Sequence, residues 1–193
     1  MIYSDKKVPY AYIHNPRTGG TALSSYFIWR GGHQLNDRVH ITYTEASEIF
    51  NFDNYYTFGF VRNPFSREVS MYYLMTQATG KNMSFTDWVH AKLTNSENLQ
   101  NNLIIPQIDY FCDSNRVIKA NIFKYEDRKN AIAEISSILQ FPYEQMANYI
   151  PTLNSPRSPE GVDYRTHYTN ETIDIVSEMY KIDLETFGYT FET

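Results

Sequence analysis

The sequence contains little cysteine, no excess of basic residues and no long apolar run. Its 193 residues include one cysteine, Cys112, so no disulfide can form within the chain and a secreted, disulfide-bonded scaffold has no support. No stretch approaches the roughly 18 apolar residues of a membrane-spanning helix. The first residues lack the apolar core of a signal peptide. These absences predict a soluble, cytoplasmic protein without a membrane span.

Several classes of binding site are also absent from the sequence. The net charge of −5 argues against a broad basic surface, so we expect no nucleic-acid partner. There is no H-E-x-x-H segment and no cluster of cysteine and histidine that would hold a metal ion. The ATP-binding pattern G-x-x-x-x-G-K-[ST] cannot be aligned with any part of the chain. The sequence therefore predicts no metal cofactor and no ordinary ATP chemistry.

Hydrophobic and aromatic residues, in contrast, are abundant. They make up 42% and 16% of the chain, which indicates a folded core. The length fits a single domain, residues 1–193. Predicted strands at 8–13, 55–61 and 117–125 alternate with predicted helices at 21–29, 44–50, 65–77, 84–93, 126–139 and 170–187. This alternation predicts an α/β fold, a parallel sheet flanked by helices on both faces. Segments 95–102 and 151–159 are predicted loops.

The first predicted strand and helix are joined by the sequence P-R-T-G-G-T at residues 16–21. Its two glycines let backbone N–H groups approach a ligand closely, and the helix that follows adds the positive end of its dipole. A Gly-Gly pair alone could be only a tight turn. Arg17 adds a permanent positive charge and the two threonines add hydroxyl donors. Together these features favour a phosphate site.

A second anion site is predicted after the strand at 55–61. Arg62 follows this strand, at the end where open α/β sheets bind ligands. A structural arginine paired with a carboxylate is the alternative. Ser70, two turns into the next helix, could turn its hydroxyl towards the same pocket. Anion sites at two strand ends would suit a nucleoside that carries phosphates at both ends.

These segments resemble a known family. Residues 16–21 resemble the P-K-T-G-G-T loop of sulfotransferases that use 3′-phosphoadenosine-5′-phosphosulfate (PAPS), and residues 60–70 resemble the family's F-V-R-N-P-x-x-R-x-x-S segment. Residues 123–127 are similar to its Y-E-D segment, and 187–189 to its C-terminal F-G-Y. The matches occur in order along the chain. The carbohydrate-type branch, which includes heparan- and chondroitin-like enzymes, is the most similar.

The resemblance implies a P-loop-like fold and a sulfotransferase that moves a sulfuryl group from PAPS to an acceptor hydroxyl, on a carbohydrate or a small polar molecule, without a metal. The residues implied to hold the 5′-phosphosulfate are Pro16, Arg17, Thr18, Gly19, Gly20, Thr21 and Ala22. Arg62 and Ser70 would bind the 3′-phosphate. Arg165 and Tyr168 could close over the 3′ side, although pairing of Arg165 with Asp163 is an equal alternative.

Arg17 and His40 are the predicted catalytic residues. Negative charge builds on the leaving phosphate, and fixed donors aimed at it are the largest stabilising factor. Arg17 stands where the family usually has lysine; it keeps the charge and the hydrogen bonds but does not readily give up a proton. His40 is the predicted general base for the acceptor hydroxyl. His14, Glu45 and Glu48 are the other candidates for this role.

Two other functions stay open at this point. The first is a P-loop kinase that transfers phosphate from ATP, which should show a Walker lysine and an aspartate that holds Mg²⁺; neither is found in the sequence. The second is a non-catalytic nucleotide-binding module, in which Arg17 replaces a catalytic lysine. Binding of PAP, the PAPS product, compared with ATP would separate the first rival from a sulfotransferase. An assay of PAPS consumption would separate the second rival, the non-catalytic module, from an enzyme.

Overall fold

The computed structural model describes residues 1–80, 82–94, 105–153 and 162–193. The chain divides into two compact units, one of Met1–Val61 with Gln107–Ser155 and one of Arg62–Pro106 with Pro156–Thr193. Compact units and independently folding domains are different properties, so the single domain stays a prediction.

The first unit contains a five-stranded sheet with the order β3-β1-β2-β4-β5. The strands are β1 (Ile2–Ser4), β2 (Tyr10–Ile13), β3 (His33–Gln34), β4 (Tyr56–Val61) and β5 (Asn121–Lys124). The β2–β4 and β4–β5 pairs are parallel, whereas β1 runs antiparallel to β2 and β3. The predicted α/β class is confirmed. The antiparallel strands β1 and β3 were not predicted, because two or three residues show too little alternation to be recognised.

The α-helices of the described residues are α1 (Gly20–Trp29), α2 (Tyr43–Ser47), α3 (Pro64–Thr79), α4 (Phe85–Thr94), α5 (Arg128–Leu139), α6 (Tyr143–Leu153), α7 (Asn170–Met179) and α8 (Lys181–Phe187). Short 3₁₀ turns occur at Gln107–Tyr110, Tyr125–Asp127 and Tyr164–His167. Of these elements, α1, α2, α5 and α6 belong to the first unit, and α3, α4, α7 and α8 belong to the second.

The core of the first unit forms on one face of the sheet. Alternate residues of a strand point to the same face, and the register pairs Tyr12 of β2 with Phe58 of β4. This face packs against apolar residues of α1, α5 and α6, including Leu23, Phe27, Ile135 and Met146. On the opposite face, a Cβ at Gly59 would lie 2.4 Å from Cε1 of Phe111. Glycine at this position therefore lets the Phe111 ring pack directly on the central strand.

The second unit has its own core, formed by α3, α4, α7 and the residue that follows α7. Its buried members are Phe65, Val69, Met71, Phe85, Trp88, Val89, Val176 and Tyr180. Pro64 occupies the first turn of α3, and the Asn63 side chain accepts a hydrogen bond of 2.9 Å from the Phe65 amide. Proline is tolerated there because its missing N–H would have no partner within the helix. The strand therefore ends and the helix begins within three residues of chain.

Several predicted boundaries differ from the structure. α2 begins at Tyr43, one residue earlier than predicted, because Thr42 is its N-cap, and it ends at Ser47, so that Ile49 of the predicted segment lies beyond the helix and is 55% exposed. β5 begins only at Asn121, since Ile118 forms an isolated bridge with Cys112. The predicted helix at 170–187 is two helices, because the backbone leaves helical geometry at Tyr180 (φ −119°, ψ 24°).

The predicted loop at 151–159 was wrong at its start. Residues 151–153 are the last turn of α6, a helix that was not predicted. Met146 and Tyr149 of α6 pack into the core of the first unit, and this tertiary packing carries the helix past a proline that argued for a loop. Residues 154–159 and the predicted loop at 95–102 lie outside the described residues.

Candidate active site

The loop between β2 and α1 has an unusual backbone. Arg17 adopts φ +66° and Gly19 adopts φ +75°, both in the left-handed region. This conformation is routine for glycine but costs about 1–2 kcal/mol for a residue with a side chain, and such strain concentrates at functional sites. Left-handed residues within a turn also form concave nests of backbone N–H groups that bind anions. The conformation of Arg17 therefore supports an anion site rather than a simple turn.

Both glycines of the loop are required by close packing. A Cβ at Gly20 would lie 2.0 Å from Cδ2 of His14, and one at Gly19 would lie 2.9 Å from Cε2 of Tyr125. No side chain fits at these distances. The glycines thus bring the loop backbone against the ring of His14 on one side and against the 3₁₀ turn that precedes α5 on the other.

The first turn of α1 has no side-chain cap, a feature that it shares with α5 and α8. α2 and α7 are capped by the side chains of Thr42 and Thr169, whereas the N-cap of α1 is Gly19, which has no side chain, and its first turn contains no acidic residue. The first amides of a helix have no partner within the helix, and they attract negative charge. An anion held by the loop would complete this helix terminus.

Buried hydrogen bonds hold the loop in place. The Asn15 side-chain amide donates to the Phe60 carbonyl of β4 (3.0 Å) and to Oε1 of Gln107 (3.1 Å). The Thr18 hydroxyl, predicted as a donor to the ligand, donates instead to the Asn15 carbonyl (2.8 Å). Thr18 therefore maintains the shape of the loop. Thr21 is exposed and Ala22 is buried in the core, so Ala22 contributes to a site through its backbone.

His40 lies beside the loop. Its Nδ1 atom is 2.9 Å from the His14 carbonyl oxygen, and the two imidazole rings are 4.5 Å apart in an edge-to-face arrangement. A carbonyl only accepts hydrogen bonds, so Nδ1 carries the proton and the basic lone pair is on Nε2. This is the tautomer that a general base requires. The structure thus brings His40 next to the loop, which spacing along the sequence could not establish, and its role as general base stays a prediction.

The other candidates for the general base, His14, Glu45 and Glu48, are less suited to that role. His14 is buried, its Nδ1 lies 3.2 Å from the Ser24 hydroxyl, and burial, reinforced by the nearby His40, holds the pKa of His14 well below its usual value. Burial tends to raise the pKa of Glu45, but hydrogen bonds from Thr42 and Arg38 outweigh it and lower the pKa. Both groups are weak bases, and Glu48 is exposed at the end of α2.

The second predicted anion site is a small pocket within the second unit. Its volume is about 130 Å³, and its lining residues are Arg62, Ser66, Val69, Ser70, Val162, Asp163, Tyr164 and His167. Arg62 and Ser70 therefore line one pocket, as their positions predicted. Nε and Nη2 of Arg62 donate to the Ser66 hydroxyl at 3.0 and 2.7 Å, so Ser66 orients the guanidinium. Ser66 was missed, although its spacing from Arg62 places it within reach.

Arg165 and Tyr168 have other contacts. Nη1 of Arg165 lies 2.9 Å from a carboxylate oxygen of Asp163 and Nη2 donates to the Glu192 carbonyl at 2.7 Å, which is the paired alternative raised above. The Tyr168 hydroxyl donates to the Phe65 carbonyl at 2.9 Å. Neither residue lines the pocket of the second unit, whereas Tyr164 and His167, from the same segment, do. Sequence proximity alone could not distinguish these neighbours.

Comparison with known families identifies the family of the chain. A family model described as "Sulfotransferase family" matches residues 12–190, nearly the whole chain. The chain therefore belongs to the sulfotransferase family. No curated protein and no solved structure matches it in the corresponding comparisons.

Two further features of the described residues concern membranes and metals. Among residues 1–80, 82–94, 105–153 and 162–193, no helix is long and apolar enough to cross a membrane. In the same part of the chain, no three histidine, cysteine or acidic side chains are grouped so that they could hold a metal ion.

Proposed function

We propose that this sulfotransferase takes its sulfuryl group from PAPS and transfers it to a hydroxyl of a carbohydrate or another small polar acceptor. The observation that carries the proposal is the loop at residues 16–20, in which Arg17 adopts a left-handed backbone conformation three residues before a helix whose first turn has no side-chain cap. Members of this family use PAPS as sulfate donor, and this loop has the geometry of an anion site.

The 5′-phosphosulfate is assigned to the loop, and the 3′-phosphate to the pocket of the second unit. Backbone amides from residues 16–22, together with the guanidinium of Arg17, would bind the former. Arg62, oriented by Ser66, and the Ser70 hydroxyl would bind the latter. A guanidinium suits this task because its planar donors match phosphate oxygens in pairs.

Transfer of the sulfuryl group requires two things of the protein: stabilisation of the charge on the leaving phosphate and removal of the proton from the acceptor hydroxyl. The bond between sulfur and the bridging oxygen of the 5′-phosphate breaks, and its electron pair stays on that phosphate. Arg17 and the loop amides stabilise the growing charge without any proton transfer. The acceptor oxygen forms the new bond to sulfur, and its proton passes to Nε2 of His40. The His14 carbonyl keeps His40 in the required tautomer.

An assay of transfer tests this proposal. The purified chain is incubated with PAPS and, in separate reactions, an acidic polysaccharide, a neutral oligosaccharide and a simple phenol, while chromatography measures PAP and mass spectrometry measures sulfated product. We expect release of PAP to be coupled to a sulfated carbohydrate. Tight binding of PAP without product on any acceptor would identify a binding module. Phosphorylated product in a parallel reaction with ATP and Mg²⁺ would identify a kinase.

A further inference from the structure

Arg128, the first residue of α5, has a buried donor without a partner. Its Nη1 atom is inaccessible to solvent and forms no hydrogen bond, and Arg128 forms no ion pair with a carboxylate among the described residues. The side chain lies over the ring of Tyr125, with Cζ 5.2 Å from the ring centroid. A ring face attracts the positive charge but accepts none of the in-plane N–H groups.

An unsatisfied buried donor on a charged group is unfavourable. Buried polar groups are nearly always hydrogen-bonded, and an exception often marks an absent ligand, water or ion. Losing hydration without gaining a partner destabilises the folded protein, and more so for a charged group. The Tyr125 contact accounts for the position of the guanidinium but leaves Nη1 unpaired. A partner from outside the chain would resolve this.

The location of the unpaired donor indicates the kind of partner. A Cβ at Gly19 would lie 3.4 Å from Nη1 of Arg128, so this nitrogen lies directly against the loop that carries Arg17. The same glycine admits the Tyr125 ring. An anion seated on the loop amides would be next to Nη1 and would gain both a hydrogen bond and charge attraction from it, whereas a cationic ligand would be repelled.

The geometry points to Arg128 as a second guanidinium for the 5′-phosphosulfate, which acts from the far side of the loop. This inference rests on the proposed function and adds a binding residue from α5, outside the segments that resemble the family's phosphate-binding segments. Arg17 provides charge from within the loop, and Arg128 provides it across Gly19. A charge-assisted hydrogen bond to phosphate is about twice as strong as a neutral one. The contact would be made only when a 5′ anion is bound.

Calorimetric titrations with two nucleotides separate this role from general binding. PAP carries both phosphates, whereas adenosine 3′-monophosphate lacks the one that Arg128 is inferred to contact. We expect Arg128→Met to weaken PAP binding by about tenfold to a hundredfold and to leave binding of adenosine 3′-monophosphate unchanged. Methionine keeps the apolar stem that covers Tyr125. The matched control is Lys129→Met, which removes an equal charge from the exposed neighbouring residue and should change neither affinity.

Stability without ligand provides a second readout. If Nη1 is unsatisfied until an anion binds, Arg128→Met should unfold at the same temperature as the wild type or higher, because an unpaired buried donor is removed. Arg128→Lys, which keeps the charge but not the planar donors, should bind PAP with intermediate affinity.

Each outcome bears on a different part of the account. Equal loss of affinity for both nucleotides, or unchanged PAP affinity in Arg128→Met while the wild type binds PAP, would overturn the role of Arg128 and leave the proposed function intact. A lower unfolding temperature of Arg128→Met would assign Arg128 a structural role instead. Failure of the wild type to bind PAP would overturn the proposed function and this inference together.

Discussion

Two basic side chains, one in each unit, place a nitrogen out of contact with solvent but in opposite surroundings. Nζ of Lys92 lies 2.6 Å from Oε2 of Glu68 and donates to the Tyr180 hydroxyl at 2.8 Å. The second carboxylate oxygen of Glu68 accepts from the Trp88 indole at 2.7 Å. In the first unit, the Arg128 side chain is half-buried, and its Nη1 atom is inaccessible to solvent and has no partner. A buried charge that is satisfied within the chain indicates a structural role, and one that is unsatisfied indicates a ligand.

The ionisation of the satisfied cluster agrees with this interpretation. Burial tends to lower the pKa of Lys92 and to raise that of Glu68, but the attraction between the two charges outweighs burial, so the pKa of Lys92 is raised and that of Glu68 is lowered. Both groups are therefore charged in the folded protein. Burial, reinforced by the negative charge of Glu68, raises the pKa of Tyr180, so this residue remains a neutral hydroxyl.

The largest expected effect is on the satisfied cluster. Lys92→Met leaves the Glu68 carboxylate buried without its cation and should lower the free energy of unfolding by about 3–5 kcal/mol. Urea denaturation followed by circular dichroism measures this. The double variant Glu68→Gln with Lys92→Met should recover much of the loss, because no buried charge remains. A change below about 1 kcal/mol in Lys92→Met, the range of exposed ion pairs, would refute the structural role.

Arg17 should show the reverse pattern, a loss of activity. Arg17→Ala removes a fixed donor from the leaving phosphate and should lower kcat by about 10²–10³-fold. Arg17→Lys should keep measurable transfer, since lysine also supplies a positive charge. Initial rates of PAP release at saturating PAPS provide the test. An alanine variant with wild-type turnover would show that the strained loop has no catalytic function.

His40 should affect turnover but not donor binding. His40→Gln keeps a polar side chain of similar reach but cannot accept the proton, and we expect kcat to fall by about 10²-fold with unchanged affinity for PAP. Turnover and calorimetric affinity are measured on the same preparation. Unchanged turnover would remove His40 from the mechanism, and an equal loss of PAP affinity would assign it to the donor site instead.

The smallest expected effect is on the pH dependence of stability, which should differ between His14 in the first unit and Glu68 in the second. Because the folded-state pKa of His14 is depressed, its contribution to stability is complete above the unfolded value of about 6.5 and is lost as the pH falls below it. Between about pH 7.5 and 5.5 the wild type should therefore lose roughly 1 kcal/mol more than His14→Asn. The contribution of Glu68, whose pKa is also depressed, should persist until the pH falls below about 4.3. Urea titrations at each pH test this, and parallel curves for wild type and variant would contradict it.

Local sequence patterns predicted the elements that carry the site. The strand, glycine pair and helix around Arg17 and the strand-to-helix junction at Pro64 were correct, because each depends on residues close in sequence. Antiparallel β1 and β3, α6 and the division of the last helix at Tyr180 were not predicted, since pairing and packing with distant segments decide them.

Contacts between distant segments likewise limited what could be predicted of the site. Arg62 lies between β4 and α3 and Ser70 lies within α3, and the expectation that they face the same pocket agrees with the lining of the pocket in the second unit. Pairing of Arg165 with Asp163, two residues away, was one of the two alternatives and is observed. Arg128, however, lies more than a hundred residues from the loop at Gly19. Only the folded chain brings these two residues together, so sequence reasoning had no signal for Arg128.

A crystal structure of the chain with bound PAP tests the central claim most directly. The account predicts the 5′-phosphate on the amides at residues 16–22, in contact with Arg17, and the 3′-phosphate on Arg62 and Ser70. A nucleotide bound with neither phosphate at the Arg17 loop would contradict it, as would a loop that keeps its left-handed turn while PAP occupies another part of the molecule.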